Sequence, residues 1–427
     1  MENLKFSGQD TVAMARQYGT PLYVMSEDII RKRIEDLKQA FDSTGVKYDI
    51  NYAGKAFTNL AMCRIVASEG ISLDVVSKGE MLTALKAGFP TEHICFHGNN
   101  KTPDELAFAL EHQIGRIIVD SEDELEVLSR LPTQKDCRAN IMFRISPGVE
   151  AHTHELIETG TEDSKFGLPY VQAREIILQT KKMPRLTVVG LHCHIGSQIV
   201  SDEPFVIAAE KMIDLYRLLQ EDEIPLGELN LGGGFGIPYL HKDEAFDVIK
   251  YIPKMVLRIR DLCDHAGIDL PKLIVEPGRY IVAESGVTLY TVGTVKKIPG
   301  LRTYVSVDGG MNDNPRPALY GAEYEAYICN AKSSSIMETV TVSGRACEND
   351  ILIDRVDLNR PEVGDTLMIS NTGAYNYSMS SNYNRYPRPA VVLIRGNTSG
   401  VIVKRETDDD LLRLDRIPKW LSGEQHV

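Results

Sequence analysis

The chain has little of what marks a membrane, nucleic-acid or secreted protein. None of its 427 residues belongs to an apolar run approaching the roughly 20 positions that cross a bilayer. Lys and Arg number 47 against 60 Asp and Glu, for a formal net charge of −13, and the basic residues are not clustered. That excludes the basic patches that nucleic acids and anionic lipid surfaces reward. The seven cysteines are odd in number, scattered and without a C-x-x-C pair, so neither a disulfide framework nor a zinc site is indicated. The start, Met1-Glu2-Asn3-Leu4-Lys5-Phe6, has no signal-peptide pattern, and a cytoplasmic location is the expectation. Low-complexity tracts and fixed-length repeats are also missing. What remains, 43% hydrophobic and 25% charged, is the balance of a soluble globular protein longer than one ordinary domain.

Eight strand-like apolar runs each end in chemically potent residues. They are Tyr48 to Ala53 before Gly54-Lys55, Ile71 to Val76 before Ser77, Ile94 to Phe96 before His97, and Ile117 to Val119 before Asp120. The others are Ile141 to Ile145 before Ser146, Leu186 to Leu191 before His192, Leu229 to Leu231 before Gly232, and Leu273 to Val275 before Glu276. Most intervals hold a helix-like segment: Leu60 to Ser68, Glu80 to Ala87, Pro103 to Glu111, Glu122 to Arg130, Val171 to Lys181 and Pro204 to Gln220. Eight alternations of strand and helix predict a closed (β/α)8 barrel, whose strand C-termini converge on one catalytic rim.

After about residue 280 short β-type runs follow one another from Val287 to Lys404, which predicts a second, all-β domain, a barrel or sandwich. Leu22-Tyr23-Val24-Met25 is placed with it. The expected division is a barrel over 28–280 and a β domain from 1–27 and 281–427.

Gly232-Gly233-Gly234-Phe235-Gly236 lets backbone N–H groups approach an anion, at the loop where this kind of barrel usually binds phosphate. By itself a glycine-rich loop is more often a tight turn. A strand-end lysine such as Lys55 is usually a solvated cation, yet a lysine in a barrel mouth near a phosphate is the type that forms Schiff bases with carbonyl compounds. Pyridoxal 5'-phosphate (PLP) supplies both the aldehyde and the phosphate. It also needs an acidic partner for its ring nitrogen, and Glu276 is the candidate, against the plainer alternative of a turn salt bridge to Arg279. His192 and His194 alternate along a strand and could share a metal, but no third ligand is evident from spacing, nor do His152 and His154 supply one. No metal is expected. An imidazole here could instead lie flat on a pyridine ring, with Ser197 donating to its phosphate.

Together, Tyr52-Ala53-Gly54-Lys55-Ala56, His192 to Gln198, Gly232 to Gly236 and Glu276-Pro277-Gly278-Arg279 resemble the barrel motifs of the fold-type III PLP-dependent amino-acid decarboxylases. Asp308 to Asp313, Arg316 to Tyr320, Cys347-Glu348-Asn349-Asp350, Gly373-Ala374-Tyr375 and Met379 to Asn384 extend the resemblance to nearly the whole chain, in the expected order. Two positions depart from the pattern, Phe57 where asparagine is common and Lys78 where glycine is usual.

The resemblance implies that Lys55 holds PLP, that His194 stacks on its ring and that Glu276 pairs with its nitrogen. Ser197, Gly233, Gly234, Gly236, Gly278, Arg279 and Tyr375 would surround the phosphate or the adjoining substrate space. Cys347 would protonate the substrate carbon after CO2 leaves. The implied substrate is a small amino acid, meso-2,6-diaminopimelate, yielding L-lysine. Its distal carboxylate calls for cations that Arg279 and Arg316 can supply, with a donor from Tyr320, and its distal ammonium for Glu348. The alternatives are a decarboxylase of ornithine, lysine or a carboxylated polyamine, and a non-catalytic PLP carrier. In the resembling family a head-to-tail homodimer shares its active sites between chains.

Overall fold

The computed structural model describes residues 3–131, 138–149, 164–331 and 336–421. His152 and His154 lie outside them. The chain forms two compact units. One comprises Ser26–Gly286 with Gly373–Ser378, the other Met1–Met25, Val287–Thr372 and Met379–Val427.

The first unit is the closed parallel barrel. Its strands are β1 (Tyr48–Ala53), β2 (Ser72–Val75), β3 (Ile94–Phe96), β4 (Arg116–Val119), β5 (Ala139–Ser146), β6 (Leu186–His192), β7 (Glu228–Asn230) and β8 (Lys272–Val275). Each pairs in parallel with its neighbour, and β8 returns to β1 with Leu273, Ile274 and Val275 opposite Tyr48, Asp49 and Ile50. Strands covered on both faces read as continuous apolar runs rather than alternating ones. In β3, accordingly, Ile94, Cys95 and Phe96 are all fully buried.

Helix starts are set by capping side chains. Ser26 accepts from the Ile29 N–H and starts Glu27–Asp42, and Ser77 accepts from the Glu80 N–H and starts Lys78–Ala87. Both helices therefore begin slightly before the points where their apolar periodicity becomes visible. Thr102 and Glu105 form a reciprocal capping box at the head of Pro103–Glu111. Between β7 and β8 lies the 19-residue helix Val248–Ala266, with Pro253 in its interior. An interior proline is a helix breaker by composition. The Asp247 cap and a buried face of Val248, Ile252, Met255, Val256, Ile259 and Cys263 nevertheless carry it.

The second unit is built on a sheet in the order Ile351–Asn359, Met337–Ser343, Arg302–Val307, Gly286–Ile298, Leu22–Ser26, Ala390–Arg395 and Thr398–Val403. Thr366–Ile369 pairs with Gly286–Ile298 and carries Ala326–Ile328 on its other side. Leu22 and Val24 are buried in a core shared with Val287, Leu289, Met368 and Val392, which explains why an early strand joins this unit.

The segment Gly373–Ser378 falls within the stretch expected to be β domain but packs with the barrel. The Gly373 N–H donates to the Ala283 carbonyl at 3.0 Å and the Tyr375 N–H to the Ala56 carbonyl at 2.9 Å. A Cβ at residue 373 would lie 1.8 Å from the Val282 carbonyl oxygen, so only glycine permits this approach. Among the described residues no helix is long and apolar enough to cross a membrane.

Candidate active site at the barrel rim

Lys55 follows β1 in a single turn of 3₁₀ helix, Gly54–Ala56, and is exposed. The turn is tight. A Cβ at Gly54 would come within 2.7 Å of the Asp74 carbonyl and 2.8 Å of the Thr58 hydroxyl. The Thr58 hydroxyl donates to the Gly54 carbonyl at 2.6 Å and the Tyr52 hydroxyl to the Phe57 carbonyl at 2.8 Å, so the backbone around the amine is fixed on both sides. Phe57 is buried with its ring edge-on to Tyr377, centroids 6.0 Å apart. Lys78 starts its helix with its amine 4.9 Å from the Phe108 ring centroid.

Glu276 follows β8 and is buried. Its Oε1 accepts from the Asn230 amide at 2.7 Å and lies 3.0 Å from His97 Nε2, and its Oε2 lies 3.0 Å from His192 Nε2. Burial alone would raise this carboxyl, but His97 and His192 outweigh it and hold it well below the usual carboxylate range. Burial pulls both imidazoles down. For His192 burial wins, with a result of about 4, whereas His97 has a second carboxylate, Asp74, 3.7 Å away and is raised. Asp74 is itself pushed up to about 6 by burial, against the pull of His97. Glu276 is thus held in its carboxylate form, with His97 shifted toward its charged form and His192 toward its neutral form, its Nε2–H donating a hydrogen bond to Glu276 Oε2.

His97, His192 and Glu276 offer donor atoms within 4.8 Å of one another, the composition of a metal site. Both carboxylate oxygens are already engaged, Oε1 by the Asn230 amide and His97 and Oε2 by His192, and the set reads as a polar network around Glu276. His192 and His194 do not act as a joint pair of ligands. His192 is turned to Glu276, whereas His194 Nδ1 accepts the Gly233 N–H at 3.2 Å. Burial, and after it the Lys55 charge, holds His194 well below its ordinary range, leaving it neutral.

The glycines after β7 leave no room for side chains. A Cβ at Gly233 would meet the Glu276 carbonyl at 2.0 Å and one at Gly234, whose φ is +111°, the Gly196 carbonyl at 2.3 Å. Gly236 donates its N–H to the Ile199 carbonyl, and Gly278 lies against Ala53. Arg279 is buried; its Nη1 donates to the Tyr239 hydroxyl at 2.6 Å and its Nη2 to the Ser197 hydroxyl at 3.1 Å. Its guanidinium carbon stands 4.8 Å from the Tyr375 ring centroid. The Nε–H is buried without an acceptor among the described residues. An unmet buried donor on a cation suits an anionic group such as the phosphate of PLP.

The second unit carries the remaining candidates. Arg316 is buried at the head of the short helix Arg316–Tyr320 and donates from Nη1 to the Tyr324 hydroxyl at 2.7 Å. Tyr320 is partly buried at the end of that helix. Cys347 and Glu348 are exposed in the loop between Met337–Ser343 and Ile351–Asn359, with Glu348 accepting from the Tyr383 hydroxyl at 2.6 Å.

Sequence reasoning placed His97 at the end of its strand but gave it no role, and it did not single out Asp74, Asn230 or Tyr239. All but Tyr239 stand at or beside the C-terminal end of a barrel strand, the position that marks the rim, and that signal could have found them.

A parallel barrel with an amine, a buried carboxylate and a buried arginine with an unmet donor on one rim defines a PLP-binding barrel of the decarboxylase class. The family model for the pyridoxal binding domain of pyridoxal-dependent decarboxylases matches residues 27–283. The chain is 47% identical to the diaminopimelate decarboxylase of Bacillus subtilis over 423 residues, 97% of this chain and 95% of that one, and 44% identical to that of Staphylococcus aureus, with 95% of each covered. Among solved structures, the M. jannaschii diaminopimelate decarboxylase superposes with a TM-score of 0.92 at 36% identity, covering 98% of this chain and 97% of the other. The Helicobacter pylori enzyme complexed with L-lysine gives 0.87 at 34%, covering 94% and 98%. The chain belongs to the diaminopimelate decarboxylases.

Proposed function

We infer that the chain releases CO2 from meso-2,6-diaminopimelate to give L-lysine, with PLP as cofactor. The observation that carries this reading is Glu276, an ionised carboxylate kept in a buried site by two imidazoles and an amide, on the rim that also bears Lys55. When bound, PLP supplies an electrophilic aldehyde and a sink for the electron pair released with CO2.

In this reading Lys55 would hold the cofactor through its primary amine. Glu276 holds a proton at the cofactor's ring nitrogen, and His97, His192 and Asn230 hold Glu276. His194, neutral and tied to the Gly233 N–H, offers an imidazole face to the ring. Ser197, Gly233, Gly234, Gly236, Gly278, Arg279 and Tyr375 bind the phosphate or border the substrate. Cys347 delivers a proton to the substrate carbon once CO2 has left. Arg316, with Arg279 and the Tyr320 hydroxyl, receives the distal carboxylate, and Glu348 the distal ammonium. The working form is a cytoplasmic homodimer in which each site draws on both chains.

The test is CO2 release from meso-diaminopimelate, ornithine and lysine assayed side by side. Turnover of the first is expected, preference for either other substrate assigns a different decarboxylase, and no turnover of any of the three assigns a carrier. Arg316→Ala should selectively depress kcat/KM for diaminopimelate, because an unpaired buried carboxylate costs about 2 to 5 kcal/mol. Unchanged kinetics would remove Arg316 from the pocket. Glu276→Gln should retain PLP, measured by absorbance after gel filtration, while kcat falls roughly 10²- to 10⁴-fold, since a neutral amide cannot keep the ring nitrogen protonated. Full activity in that variant detaches Glu276 from the cofactor.

A further inference from the structure

The Cys347 loop is held by side chains on almost every residue. Asn384 Oδ1 accepts the Cys347 N–H at 2.8 Å. Asp350 Oδ2 accepts the neighbouring Ala346 N–H at 2.8 Å, and its Oδ1 accepts the Met311 N–H at 2.7 Å. The Tyr383 hydroxyl donates to Glu348, and the Tyr386 hydroxyl donates to the Arg345 carbonyl at 3.2 Å. Four consecutive residues, Arg345 to Glu348, are therefore tied down by Asp350 and by the segment 383–386.

Both anchors occupy backbone conformations that L residues rarely adopt. Asn384 has φ +52° and Asp350 φ +42°, a region that Asn and Asp enter more readily than other residues with a Cβ. The Asp350 carboxylate is buried in a slot made by two glycines: a Cβ at Gly310 or Gly344 would lie 2.2 or 2.1 Å from its Oδ2. A loop that merely closes a hairpin needs no buried carboxylate of this kind, because solvent satisfies the N–H groups of exposed loops. Here two successive amides beside one thiol are given protein acceptors instead. Cys347 is the exposed cysteine among the described ones, with Cys63, Cys95, Cys193, Cys263 and Cys329 buried.

We propose that Asn384 and Asp350 are positioning residues, which fix the backbone at Cys347 and so set where its thiol delivers a proton. The proposal rests on the reading of Cys347 as the acid. Through Met311 N–H, Asp350 also ties this loop to the Asp308–Asp313 segment that leads to Arg316, so one carboxylate aligns the acid with the residue assigned to the distal carboxylate.

The holoenzyme with Asn384→Gly, Asn384→Asp, Asp350→Asn and Cys347→Ser decides the matter. Glycine keeps the positive φ and removes only the acceptor; aspartate keeps both. Asn384→Gly and Asp350→Asn should each lower kcat about tenfold while KM stays within about twofold, the signature of a contact that matters only in the reacting complex. The rate at which iodoacetamide labels Cys347, read by peptide mass, should rise at least about threefold in both, following the freed loop. Asn384→Asp should restore both readouts. Wild-type labelling and kcat in Asn384→Gly, or a lowered melting temperature with neither readout moved, overturns the proposal. If Cys347→Ser keeps full kcat, the acid role is wrong, and the labelling rates alone then decide whether the two residues fix the thiol.

Discussion

Borohydride treatment of the purified protein is expected to fix PLP irreversibly on Lys55, and Lys55→Ala is expected to lose at least about 10³-fold in turnover. The geometry carries the size of the effect. Lys55 stands exposed at the end of β1 on a turn whose backbone is locked by Thr58 and Tyr52, in a unit that also contains the ionised Glu276. The rim's other candidate groups are a carboxylate, imidazoles and an arginine, none of which replaces a primary amine. Peptide mapping of the reduced protein reads the outcome directly. A label on another lysine, or a protein purified and reconstituted without bound cofactor, would sink the assignment of Lys55.

The second large effect concerns the assembly. Lys55 belongs to the barrel unit and Cys347 to the other unit, and the proposed homodimer builds each site from Lys55 of one chain and Cys347 of its partner. Two inactive variants should then rescue each other. When Lys55→Ala and Cys347→Ala chains are unfolded together and reassociated in equal amounts, half of the dimers are mixed, and each mixed dimer has one intact site. Activity should recover from near zero to about a quarter of the wild-type value, as random two-fold pairing requires. Differently tagged chains verify the exchange by pull-down. If exchange occurs and activity stays at the level of the parent variants, both residues act within one chain and the shared-site model is wrong.

Much of this molecule was determined by local sequence. Strands covered on both faces are rich in apolar residues, so runs such as Ile94–Phe96, Ile117–Val119 and Leu273–Val275 stand out, and the residues that end them mark the rim. Helices such as Pro103–Glu111 declare themselves through a proline, a capping box and periodic apolar positions. Tertiary structure alone decided how the rim's charges are distributed. Glu276 is held by residues 179, 84 and 46 positions away, which meet it only because β8 closes on β1 and brings the strand ends into one ring. Whether each of His97, His192 and Asp74 carries a proton then follows from burial and from which carboxylate faces which imidazole, and neither is encoded in any local pattern. The same holds for Gly373–Ser378, whose backbone bonds reach back more than 300 residues to Ala56, and for Cys347, whose loop is gripped from the segment 383–386. Local sequence fixes what a short stretch of backbone will do, whereas the protonation and aim of a buried side chain depend on distant neighbours that only chain closure supplies.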